Sequence, residues 1–403
     1  MSGPNGRDAD LVLLGGSVVT MDAVRRTANA VAIRDGHIAS VGRDADVRAL
    51  AGPRTRQVDL AGRTLMPSFQ DAHVHPSMAG IGLLRCPLHE LPHTLDAYLD
   101  AIDRYAQSHP QSEWVLGDGW YMDAFPGGTP SRQALDRVVP DRPAFFINRD
   151  GHGAWVNTRA LQLGSLTADS PDPPDGRIER EPDGTPSGTL HEGAMERFKR
   201  LVPEPTLGER VEGLELAQDR LLRLGITAWQ DAWVDGQDFE AYVLLADHGR
   251  LIARATACHW WHREEGDEQI ERFVERRERG GIGRLRANTV KIMQDGVAEN
   301  FTAAMLEPYL GPDGRPTMNR GLSFVDPEAL KRSVTRLDAL GFQVHFHALG
   351  DRAVREALDA IEAAQTANGP SEGRHHLAHL QLQNLLECHD NHYVIAMHLR
   401  GIL

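Results

Sequence analysis

Cysteine is scarce in this 403-residue sequence: Cys86, Cys258 and Cys388 stand far apart with no C-x-x-C spacing. That excludes a disulfide framework and a thiolate zinc site, and it points to a reducing compartment. Positive charge is also in short supply. Lys and Arg total 43 against 57 Asp and Glu, a net charge of -14, and a surface of that sign repels phosphate backbones and anionic lipid. Neither nucleic acid nor a membrane is expected as a partner. Long apolar runs are missing as well. The first, Leu11 to Leu14, follows Arg7, Asp8 and Asp10 and leads into glycines, which is too short for a signal-peptide core or a membrane helix. A cytoplasmic protein is expected. Internal repeats and low-complexity tracts are absent.

What is present describes a globular chain. Hydrophobic residues make up 41% and charged residues 25%, and the length suits two to three domains or one large α/β barrel with additions. Residues 9–65 carry short β-type runs (Leu11–Leu14, Ser17–Thr20, Ala30–Ile33, His37–Val41) with a turn signal at Asp35-Gly36, so a small β-unit is expected there. From residue 66 apolar strands alternate with amphipathic helices, the pattern of parallel strands joined by crossover helices. One helix is expected to open at Asp326-Pro327, to bury Leu330, Val334, Leu337 and Leu340, and to stop at Gly341. Another starts at Asp351 and buries Val354, Leu358 and Ile361. Candidate barrel strands are Pro67–Ala72, Ile226–Ala232, Ile252–Trp261, Thr289–Asp295, Gln343–Leu349 and Arg374–Leu382. About 150 residues separate the first two, too many for a βα connection, which predicts an inserted subdomain over about 90–205. Its stretch Asp169–Gly188, rich in Pro, Asp and Gly, reads as an exposed loop. The domain reading is therefore 1–65 for the β-unit and 66–403 for the barrel with its insertion.

The sharpest local signal is Asp71-Ala72-His73-Val74-His75 after a strand. Residues two apart on extended chain project to one side, so both imidazoles can face one point at the carboxyl end of the strand, where barrel active sites are built. Such a pair suits zinc, iron or nickel, or it is simply two polar residues at a strand end. His345-Phe346-His347 and Arg374-His375-His376-Leu377-Ala378-His379 repeat the theme at two later strands. Three such groups at the ends of parallel strands point to a common axis, as a metal site requires. Only one histidine of each later group need be a ligand; His345, His375 and His376 read as outer-layer or surface residues. Lys291, in Thr289-Val290-Lys291-Ile292-Met293, is a costly charge for an apolar strand. Either it is ion-paired or snorkels to the barrel mouth, or its free amine reacts with carbon dioxide to give a metal-bridging carbamate.

These residues resemble the amidohydrolase superfamily, in particular the amidohydrolase-3 branch that includes N-substituted formamide deformylases. Further markers are Asp150-Gly151-His152 with Ala154-Trp155-Val156-Asn157, Gly225-Ile226-Thr227 with Asp231-Ala232, Asp295-Gly296, and His347 through Ala353. The resemblance runs from about residue 9 to about residue 382. It implies an α/β fold, a metal-dependent hydrolase (β/α)8 TIM-like barrel with a small N-terminal β-sandwich portion. It also implies a divalent-metal centre, zinc above all, of one or two ions held by His73, His75, carboxylated Lys291, His347 and His379. By the same resemblance, Lys291, His347 and His379 are expected to form the catalytic set, and Asp150 and His152 to contact substrate. The implied reaction cleaves a non-peptide C–N bond of a small amide or formamide, and a homodimer is compatible with it.

The sequence departs from the family pattern in two places. The usual Pro-Gly-Phe-Ile/Val is here Pro67-Ser68-Phe69-Gln70, and after Leu382 the segment Gln383–Asp390 matches nothing in the family. The Ser-Asp-Trp-Pro strand end that supplies a metal-binding, proton-accepting aspartate does not follow. Tyr393–Met397 can supply a seventh strand but no eighth is seen, so a barrel incomplete at its C-terminal end is expected, through a frameshift or a premature stop. The alternatives to an active hydrolase are an inactive remnant of one and a non-enzymatic metal- or ligand-binding protein.

Overall fold

A computed structural model describes residues 8–24, 27–149, 151, 153–173, 176–298, 301–311, 313–370, 373–382 and 395–396. The chain divides into two compact units, one comprising Met1–Gln70 with Gly225–Thr227, the other Asp71–Leu224 with Ala228–Leu403.

The first unit opens with β1 (Ala9–Leu14), β2 (Ser17–Val19), β3 (Thr27–Ala28), β4 (Ala30–Arg34), β5 (His37–Gly42), β6 (Ala51–Asp59) and β7 (Thr64–Leu65). They form a sheet of order β5-β4-β1-β6 and a smaller one of order β3-β2-β7. β4 and β5 are a hairpin whose two turn residues, Asp35 (φ 49°) and Gly36 (φ 74°), both take positive φ. This is the geometry that matches strand twist and that an Asp-Gly pair adopts cheaply. Ala9, Val12, Leu14, Ala30, Ala32 and Val47 make the core of this unit.

The second unit carries the barrel. β8 (Phe69–Val74) leads into it, and β15 (Ile226–Val234), β16 (Arg254–Trp260), β17 (Leu285–Met293), β18 (Gln343–Ala348), β19 (His376–His379) and β20 (Ile395–Ala396) complete a sheet of order β20-β19-β18-β17-β16-β15-β8. Every pairing from β15 to β20 is parallel. The six strands expected from sequence are all present, and Ile395–Ala396 adds a seventh; no eighth lies among the described residues. Curvature follows from the side chains. His73 of β8 and His379 of β19, on strands far apart in the sheet, have ring centres 4.6 Å apart, as a sheet rolled into a (β/α) barrel requires.

Crossover helices cover the outside. Helix Pro327–Ala339 starts with Asp326 accepting the Ala329 N–H at 2.9 Å, and it buries Leu330, Val334 and Leu337. Leu340, expected in the core, is instead 39% exposed because the helix has already ended and Gly341 turns away at φ 78°. Helix Asp351–Asn368 buries Val354 and Ile361 against the same layer, with Leu358 half-buried. Helix Pro76–Leu84 crosses Leu207–Arg223 so closely that a Cβ on Gly80 would sit 2.2 Å from the Gly213 carbonyl oxygen.

Between β8 and β15 the chain builds a second sheet from β9 (Cys86–Pro87), β10 (Val115–Trp120), β11 (Ala144–Asn148), β12 (Gly153–Val156), β13 (Gly176–Arg180) and β14 (Pro186–Glu192). Here the structure corrects the sequence reading. The stretch expected as one exposed loop contains the β13–β14 hairpin, closed at Glu181–Thr185, with Ile178 buried. Its Asp183-Gly184 is a turn signal within a hairpin, and the alternation Arg177-Ile178-Glu179 is that of a half-buried strand. Among the described residues no helix is long and apolar enough to cross a membrane.

Candidate metal centre

β8 extends through His73 to Val74, so the first histidine lies inside the strand and not beyond it. His75 follows at φ -125°, ψ 64°, and heads helix Pro76–Leu84, whose Pro76 occupies a first-turn position that lacks an intrahelical N–H partner anyway. His73 is buried and His75 half-buried, their rings edge to face with centres 5.1 Å apart. Helix Pro76–Leu84 is tied down next to His75. The Ser77 N–H and hydroxyl both donate to one carboxylate oxygen of Asp231, at 3.1 and 2.7 Å. The Tyr242 hydroxyl donates to the same oxygen at 2.9 Å, and the Trp233 N–H to the other at 3.3 Å. Burial pushes the Asp231 carboxyl up to about 7 against these donors.

Strand register sets the rest, because partners across a sheet share a face. Lys291 on β17 is opposite His345 on β18, which is opposite His376 on β19. One step higher, Met293 is opposite His347, and His347 opposite Ala378. His379 ends β19 at φ 82°, a strained backbone for a residue other than glycine that costs on the order of 1–3 kcal/mol. Its ring lies 4.5 Å from that of His347 and 4.6 Å from that of His73. His73 Nδ1 and His345 Nε2 share a hydrogen bond of 2.9 Å. The His347 Nε2–H donates to the Gly296 carbonyl at 3.3 Å; a carbonyl can only accept, so Nδ1 of His347 is the nitrogen with a lone pair to offer.

The donor set fits a metal. Two imidazoles on one tetrahedral ion have ring centres about 5 Å apart, given Zn–N bonds of about 2.0–2.1 Å. The His73–His75, His73–His379 and His347–His379 spacings run from 4.5 to 5.1 Å. Among the described residues, no three His, Cys, Asp or Glu side chains have the geometry to hold an ion as they stand. The fit therefore rests on ring spacing and on Lys291. That residue is 2% exposed, and its Nζ is buried without a hydrogen-bond partner among the described residues, a cost of several kcal/mol unless the native state gives the amine something to do.

The electrostatics agree with this chemistry. Burial, with nothing but the Cys258 thiol to offset it, presses the Lys291 ammonium down to about 7. Burial first and Lys291 second hold His347 down to about 3, and His345 well below the usual imidazole range. His376 falls to about 4, again by burial. Neutral imidazoles are the form that binds metal.

His345, His375 and His376, read from sequence as outer-layer or surface residues, are all buried. His345 bonds directly to His73. His375 is architectural: its Nδ1 accepts the Val344 N–H at 3.0 Å, and its Nε2 lies 3.0 Å from Asp338. Asp295, placed by sequence on a strand, lies beyond the end of β17. Its carboxylate accepts N–H groups from Ala304, Leu349 and Gly350 at 2.8–3.0 Å, and it sits 3.8 Å from His347 Nε2. Burial raises it to about 6 despite those three bonds. Asp351 accepts the Leu306 N–H at 2.7 Å. Asp150, His152 and the segment Gln383–Asp390 lie outside the described residues. Sequence reasoning passed over Trp233 and Trp260, although each stands at or next to the carboxyl end of an expected barrel strand.

A parallel (β/α) barrel that gathers histidines and a buried lysine at its strand ends has the architecture of metal-dependent hydrolases. The chain belongs to the amidohydrolase family, which residues 56–396 match; the match runs through Gln383–Asp390, the segment read from the sequence as outside the family pattern, and so corrects that reading. It is 30% identical over 389 residues to Protein LONG AFTER FAR-RED 3 of Arabidopsis thaliana, covering 94% of this chain and 65% of that protein. It is 29% identical over 366 residues to the N-substituted formamide deformylase of Arthrobacter pascens, covering 88% and 66%. The chain thus spans just under two thirds of the length of these two curated relatives. Among solved structures, an uncharacterized metal-dependent hydrolase from Pyrococcus furiosus superposes with a TM-score of 0.73 at 25% identity, covering 94% of this chain and 74% of that one.

Proposed function

We propose that this chain is a metal-dependent hydrolase that cleaves a non-peptide C–N bond, of the amide or formamide kind, in a small molecule. The observation that carries the reading is the Nζ of Lys291, buried with no hydrogen-bond partner among the described residues, on the strand beside His345 and electrostatically coupled to His345, His347 and His376. His73 and His75 would hold one divalent ion, His347 and His379 a second, with Lys291 between them; zinc suits the all-imidazole set. Such ions, when bound, would supply polarisation of the amide carbonyl and a lowered pKa for the attacking water. The free amine of Lys291 would react with carbon dioxide: the N–C bond forms, Nζ gives up a proton, and the resulting carbamate would supply anionic oxygens for the ions. His345 fixes His73 through the Nδ1 bond, and Asp231 fixes the helix next to His75 through Ser77, as supporting groups around metal ligands usually do. The relationship to a formamide deformylase supports the substrate class.

A second reading, a binding protein without turnover, draws on Asp295. This carboxylate beside His347 is already occupied by three backbone donors and so is poorly placed to take a proton from water.

Metal content tests the proposal. Purified protein reconstituted with zinc should retain about one to two ions per chain by elemental analysis, and the His73→Ala, His75→Ala double variant should retain none. Zinc-free wild type after reconstitution, or full metal content in the variant, overturns it. Retained zinc without amide turnover selects the second reading.

A further inference from the structure

The chain has seven tryptophans. Trp114, Trp120, Trp155, Trp229 and Trp261 are at most 8% exposed and pack into cores. Trp233 and Trp260 differ. They stack on each other with ring centres 3.9 Å apart and planes within 5°, and Trp233 remains 38% exposed while Trp260 is half-buried.

Their location follows from register. On β16, His259 faces outward, stacked on Phe273 of helix Ile270–Arg279, and Trp261 belongs to the same outer core. Alternation therefore turns Trp260 inward. It is opposite Lys291 in the sheet, on the face that Lys291 shares with His345 and His376. On β15, Val234 is opposite the outward His259 after a register shift that follows Asp231, and the stack on Trp260 puts the Trp233 ring on the inward side. Both indoles stand at the carboxyl ends of their strands, the end at which a barrel builds its site. Trp233 is held there by its own N–H, which donates to Asp231.

We infer that Trp233 and Trp260 form an aromatic shelf that selects substrates by a flat aryl group carried directly on the scissile amide. This rests on the hydrolase reading and names its substrate class. Two large apolar rings left partly in water cost free energy unless something covers them, and a parallel stack presents one more flat face to a planar ligand. Neighbouring strands lie about 4.8 Å apart, so a carbonyl seated at Lys291 leaves room for a ring bonded to the amide nitrogen itself. A ring on a long linker would pass the shelf. The substrate class is therefore an N-aryl amide.

The test uses the zinc-reconstituted protein with formanilide and N-cyclohexylformamide, which match in size and differ in flatness. Wild type should favour formanilide in kcat/KM by about fivefold to tenfold, the range of one aromatic stacking contact. In Trp233→Ala and Trp260→Ala the ratio should fall to within about twofold at unchanged zinc content, and Trp260→Phe should recover part of it. Calorimetry of formanilide on metal-free protein supplies a readout without turnover: Kd should rise about fivefold to tenfold in each alanine variant. Hydrolysis of both amides with no aryl preference overturns the shelf and leaves the hydrolase standing. Aryl binding that the alanine variants lose, without turnover in any form, overturns the hydrolase and supports the shelf. Equal Kd values in wild type and variants overturn the shelf whatever the turnover.

Discussion

Asp231 on β15 and Lys291 on β17 are buried alike, at 0% and 2% exposure, and burial drives both to the same place, about 7. Their surroundings are opposite. Asp231 accepts four hydrogen bonds, from both donors of Ser77, from Tyr242 and from Trp233. The Nζ of Lys291 has none among the described residues. Depth and perturbed pKa are therefore common to the two residues; the count of satisfied partners is what differs. A buried polar group with every bond made stabilises the fold around it. One with no bond made is a cost the fold retains for another purpose.

The comparison breaks most visibly at Lys291. Lys291→Met should lose metal and lower amide turnover on the order of a thousandfold, several kcal/mol of transition-state stabilisation. Compared metal-free at pH 6, where the amine is charged, the variant should melt no lower than wild type, because an unpaired buried charge has been replaced by an apolar chain of similar length. Lys291→Ala should regain part of its metal with bicarbonate and a short-chain carboxylic acid, which replace the missing carbamate. Full unaided metal content in either variant would make Lys291 structural.

Asp231→Ala should show the reverse. Removing the acceptor strands the Ser77 and Tyr242 donors in the interior, and unfolding in urea should show a loss of about 3–5 kcal/mol. A loss below about 1 kcal/mol would mean that the helix next to His75 does not depend on this carboxylate.

His259 is the intermediate case and carries the smallest effect. Its Nε2 lies 2.9 Å from the Ala287 carbonyl while its Nδ1 is buried without a partner among the described residues, and burial lowers it to about 4. Between pH 6.5 and 4 the unfolded chain takes up a proton that the folded chain refuses. Stability from this residue is therefore complete above the unfolded value and falls as the solution is acidified, by roughly 2–3 kcal/mol. His259→Phe should flatten that part of the acid limb in urea titrations at pH 7 and 4.5. An unchanged slope would place the acid sensitivity elsewhere.

Much of this was legible in the sequence because it has a short range. The Asp35-Gly36 hairpin needs only two residues tolerant of positive φ. The Asp326-Pro327 helix start needs a cap and a fixed φ, and the six barrel strands announce themselves as apolar runs spaced by amphipathic helices. His73, His75, Lys291, His347 and His379 could be picked out as histidines at strand ends and a lysine where none should be. The β13–β14 hairpin was hidden because Pro, Asp and Gly mark a turn inside a hairpin as readily as a loop between elements.

What only the tertiary structure decided depends on register across strands far apart in sequence. That His345 holds His73, 272 positions away, follows from barrel closure, which no local period encodes. The same holds for Asp231, two of whose four bonds come from Ser77, on a helix more than 150 residues upstream. It holds for the two tryptophans, ordinary strand residues in the sequence, which neighbouring strands bring into a stack at the mouth. The sequence by itself determined which side chains could do chemistry and on which elements they ride. Packing seven strands into one curved sheet decided which of them meet, because the distance between side chains on different strands is set by pairing and curvature and not by their separation along the chain.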